Sequence, residues 1–218
     1  MTELIDFYSM EKIFNDEKMS FMTVNYESLI IPISFMYFLI CCYSYLAYYI
    51  TLLHPIYYVI FYHEVLFVFW GWHYLCHSKF TGKMYEIHME HHMRDYPITK
   101  FYGDNRTMGL SEILNLKNTT TLSLYHDGPL YIMFFSLLII HKYMEFSFGT
   151  VFLKLILALI MGFVGTALHK CFHVKGIFLE KYYWFNQLRI YHYNHHVGNM
   201  KHNYGIFNVL LEHMLCHY

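Results

Sequence analysis

The chain has 218 residues, of which 56% are apolar, 21% aromatic and only 14% charged. Soluble proteins average about 45–50% apolar and about 25% charged residues, so this composition indicates a membrane protein. The formal net charge is −1 and no run of five like charges occurs, which argues against a nucleic-acid partner. The length fits a single folded unit, which we divide into an N-terminal cytosolic segment, residues 1–28, and a membrane domain, residues 29–218.

The five cysteines form no CxxC pair and are odd in number, so we expect reduced thiols rather than a disulfide framework or a zinc finger. The N-terminal segment holds six acidic residues and no apolar run before Leu29. A cleavable signal peptide is therefore not expected.

Four apolar segments predict an all-α membrane bundle. Residues 29–53 carry no charge, and about 20 such residues span a bilayer as a helix. Residues 56–72 follow after His54-Pro55 and predict a helical hairpin. A second pair of apolar segments follows. Residues 130–140 form a short segment, and residues 148–168 form one that is long enough to span and carries a single charge, Lys154. The Asp127-Gly128-Pro129 sequence predicts an interruption, so the third span is expected to be tilted, extended or only partly inserted.

Basic residues predict the orientation of these spans, because cytoplasmic loops collect Lys and Arg. Residues 73–128 hold six of them and residues after 168 hold five, whereas the two hairpin turns hold none and one. We therefore expect about four transmembrane helices, cytoplasmic termini and a helical cap on the cytosolic face.

Histidine is the compositional outlier, with 17 residues, of which ten form four clusters. HYLCH and HKCFH each hold two histidines four residues apart, a spacing that puts both on one helical face. HMEHH and HYNHH each hold three, and their spacing again predicts a shared face. The order is pair, triplet, apolar hairpin, pair, triplet. The ten candidate metal ligands are His73, His77, His88, His91, His92, His169, His173, His192, His195 and His196.

Ten histidines exceed what one tetrahedral zinc uses, so the pattern predicts two metals. Imidazole suits iron, zinc, copper and nickel alike, which leaves the metal open. All four clusters follow a returning apolar helix or lie in the segments rich in Lys and Arg, so they are predicted at one cytoplasmic membrane face. Dioxygen and a reduced metal pair there could oxidise an unactivated C–H bond of a lipid, which no side chain can do.

The four clusters resemble the HxxxH, HxxHH, HxxxH and HxxHH boxes of the fatty acid hydroxylase superfamily. The resemblance runs from about residue 63 to the C-terminus and includes HMEHHMRDYPITKFYGD and HYNHHVGNMKHNYGIFNVLLEHMLCHY. The terminal EHMLCHY departs from the Asp and Gly-Thr common at that point in the family.

The resemblance implies two iron ions, with zinc as a substitute in purified protein, in a membrane enzyme of the endoplasmic reticulum or an equivalent membrane. Such enzymes use dioxygen and two electrons, commonly from cytochrome b5 and its NAD(P)H-dependent reductase. His54-Pro55 is not followed by Gly-Gly, so we expect a separate electron donor rather than a fused cytochrome b5 module.

Hydroxylation of a fatty acyl or sphingolipid chain is the leading functional hypothesis. A sterol methyl oxidase or a lipid desaturase would use the same metal centre, and the sequence does not separate these reactions. A histidine-rich metal transporter is a remote alternative, because transporters place ligands near the bilayer midplane in broken helices.

The remaining histidines have simpler interpretations. We interpret His63 and Glu64, inside a predicted span, as a hydrogen-bonded pair within the bundle rather than as a functional site. His202 either orients a ligand imidazole or lies at the surface. The sequence assigns no role to His126, His141, His213 and His217.

Overall fold

The computed structural model describes residues 24–95, 124–144, 146–173 and 176–197. Every regular element within these ranges is helical. The six α-helices are α1 (Ile30–Thr51), α2 (Ile56–Cys76), α3 (Lys83–Asp95), α4 (Leu124–Tyr143), α5 (Phe148–His173) and α6 (Tyr183–Val197). Short 3-10 turns occur at Tyr26–Leu29, Lys79–Thr81 and Phe178–Lys181.

Helices α1 and α2 form the predicted hairpin. Helix α1 ends at Leu52, whose left-handed backbone (φ 58°) lets its N–H donate to the Tyr48 carbonyl at 2.7 Å. Pro55 then caps α2, a favourable place for a residue without a backbone donor. Ring contacts between Tyr43 and Tyr58 near the turn, and between Tyr37 and Tyr62 farther from it, show that the helices are antiparallel.

The expected interruption of the third span at Asp127-Gly128-Pro129 is not seen in the backbone, because α4 is helical from Leu124 onward. Pro129 is the sixth residue of α4, so it removes one backbone hydrogen bond, and the helix continues past it. The apolar part of α4, Leu130–Tyr143, is still too short to cross a membrane as a straight helix.

Two of the described helical segments are long and apolar enough to cross a membrane, Tyr26–Thr51 and Phe148–His173. Helix α2 has 21 residues but includes His63, Glu64 and His73. The described chain is therefore an all-helical protein with two candidate membrane spans. The four-span bundle and its cytosolic cap stay predictions.

Two apolar clusters hold the helices together. The larger joins α1, α2, α4 and α5, and its buried members include Ile40, Phe61, Leu138 and Leu157. The smaller joins the Tyr26–Leu29 turn to the end of α5 and to α6 through Leu29, Phe172, Ile177, Phe185 and Leu188. This second cluster fixes α6 against the C-terminal end of α5, where the second histidine pair lies.

The outer faces of the long helices carry many exposed apolar side chains. On α1 these include Ile31 and Leu46, and on α5 they include Phe152 and Leu159. An apolar surface of this extent is typical of a protein that contacts lipid or a partner.

Candidate metal centre

The histidine pairs lie where α2 and α5 end, and the triplets lie on α3 and α6. His73 is in the last turn of α2 and His77 follows that helix directly. His169 and His173 occupy the last turns of α5. Helices α3 and α6 then carry the three-histidine clusters. The described structure thus brings all ten histidines to one end of the helical bundle.

The ten side chains form two groups. The ligand atoms of the first group all lie within 4.8 Å of one another, and its members are His73, His77, His88, His92 and His195. The same limit holds for four members of the second group, His91, His169, His173 and His196. His192 completes the second group, since its Nε2 lies 3.1 Å from His173 Nε2 and 3.0 Å from His196 Nε2.

The middle histidine of each triplet belongs to the group of the opposite half. His195, on α6, has its Nε2 3.0 Å from His77 Nε2 at the end of α2. The ring of His91, on α3, makes an edge-to-face contact with that of His173 on α5, with the centroids 4.6 Å apart. Each group therefore takes four histidines from one half of the chain and one from the other.

Helix geometry explains this exchange and corrects the expectation that each triplet shares one face. Residues four apart differ by about 40° around a helix, whereas consecutive residues differ by about 100°. His88 and His92 consequently point together into the first group, while His91 points to the second. His192 and His196 point together in the same way, and His195 points across.

The nitrogen contacts within each group are too many to be hydrogen bonds. In the first group, His88 Nε2 lies 3.1 Å from His92 Nε2 and 3.0 Å from His77 Nε2. An imidazole nitrogen carries either one hydrogen or one lone pair, so it cannot bond well to two other nitrogens. Lone pairs directed at a common cation account for both contacts.

The second group has the same feature. His173 Nε2 lies 3.1 Å from the Nε2 atoms of both His169 and His192. A metal–nitrogen bond of about 2.1 Å puts adjacent nitrogens about 3.0 Å apart at right angles and about 3.4 Å apart at the tetrahedral angle. The observed spacings of 3.0–3.1 Å lie in this range, so each group is compatible with a metal site.

Burial keeps these imidazoles in the form that binds metals. His88, His92, His192 and His196 are at most 4% exposed. Desolvation, followed by the neighbouring histidines, lowers the pKa of each of these four side chains well below its ordinary value. Neutral imidazole is the ligand form, so the site has no protons to displace near neutral pH.

The two groups are immediate neighbours. The rings of His92 and His196 stack with centroids 3.9 Å apart, one from each group. Within the described residues, both groups consist of imidazoles alone. Such a donor set is compatible with a metal site, and the identity of the metal is not determined by it.

A buried arginine supports the second group and was not anticipated from the sequence. Arg189 on α6 is fully buried, and its guanidinium donates to Glu180 Oε1 at 2.8 Å and to the Cys171 carbonyl at 3.0 Å. It also lies over the Phe185 ring. Arg189 thus connects the end of α5, the following turn and α6, three residues before His192.

His63 and Glu64 lie on α2, nine or more residues before His73. Each contacts a different partner within the bundle, so the two do not form the expected hydrogen-bonded pair. His63 Nε2 lies 3.3 Å from the Tyr37 hydroxyl, whereas Glu64 Oε2 lies 2.8 Å from His141 Nε2. His202, His213 and His217 lie outside the described residues, and so does the side chain of His126.

Comparisons with family models, characterised proteins and solved structures gave no match for this chain. The resemblance to the fatty acid hydroxylase superfamily therefore depends on the histidine clusters and their flanking residues.

Proposed function

We propose that the chain is an integral-membrane di-iron oxidoreductase that uses dioxygen to hydroxylate the acyl chain of a fatty acid or sphingolipid. The observation that carries this proposal is the pair of adjacent histidine groups, five imidazoles each, at the end of an apolar helical bundle. Mononuclear zinc sites use three or four protein ligands, so ten imidazoles in two groups, seven of them buried and three partly buried, favour a two-metal centre.

The proposed roles of the residues follow from this arrangement. His73, His77, His88, His92 and His195 would hold one iron, and His91, His169, His173, His192 and His196 the other. Together with dioxygen, the two irons would supply the oxidising power that breaks an unactivated C–H bond. The helices that carry these histidines would hold the imidazoles in place, and burial would keep them neutral. The low charge of the long helices would let a lipid chain approach from the bilayer.

The proposed reaction needs an external electron source. One oxygen atom of dioxygen enters the C–H bond, and the other leaves as water with two electrons and two protons. We propose that cytochrome b5 and its NAD(P)H-dependent reductase deliver the electrons. The excess of Lys and Arg in residues 73–128 and after residue 168 supports a cytosolic site on a multi-pass protein. By the family resemblance, we propose the endoplasmic reticulum or an equivalent membrane as its location.

The test is lipid oxidation by the full chain in iron-loaded proteoliposomes supplied with cytochrome b5, its reductase, NADH and ¹⁸O₂. A lipid product that carries one ¹⁸O atom would support the hydroxylase. The matched control is the His92→Ala/His196→Ala variant, which should insert normally because its long apolar helices are unchanged.

Other outcomes separate the alternatives. A product that has lost two hydrogens and gained no oxygen would identify a desaturase, and a demethylation intermediate from added sterol would identify a sterol methyl oxidase. Metal flux across the vesicles without lipid oxidation would replace the enzyme with a transporter. The position of both groups at helix ends, rather than midway along the helices, argues against that last outcome.

A further inference from the structure

A second polar cluster lies inside the helical bundle, away from the histidine groups. Lys154 on α5 is fully buried, and its Nζ lies within hydrogen-bonding distance of His141 Nδ1 on α4. His141 is 5% exposed, and its Nε2 lies 2.8 Å from Glu64 Oε2 on α2. One imidazole thus connects an ammonium group to a carboxylate, and the three residues come from three different helices.

The contacts are consistent with a single protonation pattern. The ammonium of Lys154 donates to Nδ1, which must then carry a lone pair, so the ring proton lies on Nε2, the nitrogen that contacts the Glu64 carboxylate. The rings of Phe146 and Phe61 lie 4.1 and 5.2 Å from Nζ. Aromatic faces favour a buried cation, so the packing around Lys154 suits its charge. The Lys154 cation thus contacts the His141 imidazole and two aromatic rings, and the imidazole contacts the Glu64 carboxylate.

The position of the triad along the helices links it to the histidine groups. Helices α2 and α5 both end at the metal centre, so they run in the same direction. Glu64 precedes His73 by nine residues, which is about 14 Å of helix, and Lys154 precedes His169 by fifteen, about 22 Å. The link from Glu64 through His141 to Lys154 thus fixes how far α2 and α5 extend relative to each other.

The metal centre requires that alignment. His195 must reach the end of α2, and His91 must reach the end of α5, because each group takes one histidine from the other half. Apolar contacts between helices are not directional and lipid competes for them, so they define the axial register weakly. A slip of one helical turn, about 5.4 Å, would exceed the spacing between neighbouring ligand nitrogens.

We propose that Glu64, His141 and Lys154 are positioning residues that set the axial register of α2 against α5 and so bring the two histidine groups together. The proposal rests on the metal-binding part of the proposed function and is independent of which lipid is oxidised.

The experiment is titration of the full-length protein with Co²⁺ in nanodiscs, followed by the visible absorption of the bound cobalt. Wild-type protein should bind two ions. Lys154→Met should weaken at least one binding step by about tenfold or more and change the cobalt spectrum, since displaced imidazoles alter the coordination. The matched control is His63→Leu, next to Glu64 on the same helix but outside the triad, which should leave both binding steps unchanged.

The double variant Glu64→Met/Lys154→Met separates positioning from charge balance. Replacing both charged groups by apolar residues leaves no unpaired buried charge, so this variant should fold even where Lys154→Met does not. Weakened binding with wild-type helix content, measured by circular dichroism, supports the positioning role. Two ions bound with wild-type affinity and spectrum would overturn it.

Wild-type protein that binds two cobalt ions but oxidises no lipid would refute the proposed function alone, and wild-type protein that binds none would refute both.

Discussion

The two halves of the metal centre use the same histidine spacings but are held in place differently. In the first half, α2 and α3 are joined by a short surface connection, where the Thr81 hydroxyl donates to the Ser78 carbonyl at 2.6 Å and Phe80 is largely exposed. In the second half, the connection is longer, and Arg189 of α6 donates to Glu180 in that connection and to the Cys171 carbonyl near the end of α5. His88 follows His77 by 11 residues, whereas His192 follows His173 by 19.

The difference shows that the same histidine spacings can be stabilised by different kinds of contact. The first half is stabilised by local hydrogen bonds of the backbone and of hydroxyl groups. When these bonds break, water can form hydrogen bonds with the same groups. The second is braced by a buried guanidinium and an apolar cluster, which are costly to disrupt. We therefore expect substitutions in the second connection to affect stability more than those in the first.

The largest expected effect tests the exchange of histidines between the halves. His88→Ala/His92→Ala removes two ligands from the first group, and the variant should bind a single metal ion in the second. Adding His91→Ala should then lower the affinity for the remaining ion by at least about tenfold. Even residues that only contact a metal ligand change metal affinity by about 10–100-fold. Metal content after dialysis, measured by mass spectrometry, reports the loss.

The control for this experiment is His195→Ala in the same background. The His195 side chain belongs to the first group, so this substitution should cause little further loss of metal from the second group. If His195→Ala released the remaining ion and His91→Ala did not, each triplet would serve its own half and the exchange would be wrong.

The sequence predicted the ten histidines because metal-ligand spacing is local and repeats within single helices. It did not predict the exchange of His91 and His195, which depends on how α3 and α6 face each other. Nor did it predict the partners of Glu64, since His141 and Lys154 lie more than 70 residues farther along the chain. Contacts of that kind depend on helix packing, which residue types alone do not specify. The interruption expected at Asp127-Gly128-Pro129 is not seen in the backbone, because Pro129 removes a single hydrogen bond of α4 and the helix continues on both sides of it.

The next effect concerns Arg189. Arg189→Leu removes the guanidinium that joins α5 to α6 and leaves the Glu180 carboxylate without that cation, so the free energy of unfolding should fall by about 3–5 kcal/mol. The second metal ion should be lost before the first on titration with a chelator. Thermal unfolding followed by circular dichroism in detergent measures the first effect. An unchanged unfolding temperature would show that Arg189 does not brace the second half.

A smaller effect is expected in the first half at Gly82. Its backbone has φ 58° and ψ −116°, a region that residues with a Cβ rarely adopt, and an added Cβ would meet no atom within 4 Å. Gly82→Ala should therefore cost roughly 1–3 kcal/mol of backbone strain without a steric clash. Weaker metal binding at the first group, with the second unchanged, is the expected result. Gly149→Ala is the matched control, because the Cβ there would make ordinary contacts and no positive φ is involved.

The smallest effect is expected for the exposed ion pair at the start of α3. Lys83 Nζ lies 3.0 Å from Glu86 Oε2, and both side chains are more than half exposed. Such pairs contribute less than about 1 kcal/mol because water and salt screen them. Lys83→Leu should thus leave the unfolding temperature and the metal content close to those of the wild type, measured beside Arg189→Leu under the same conditions. The two substitutions each remove one cation from an ion pair between the histidine clusters, one exposed and one buried. If Lys83→Leu lowered the unfolding temperature or the metal content as much as Arg189→Leu does, burial would not be what distinguishes the two halves.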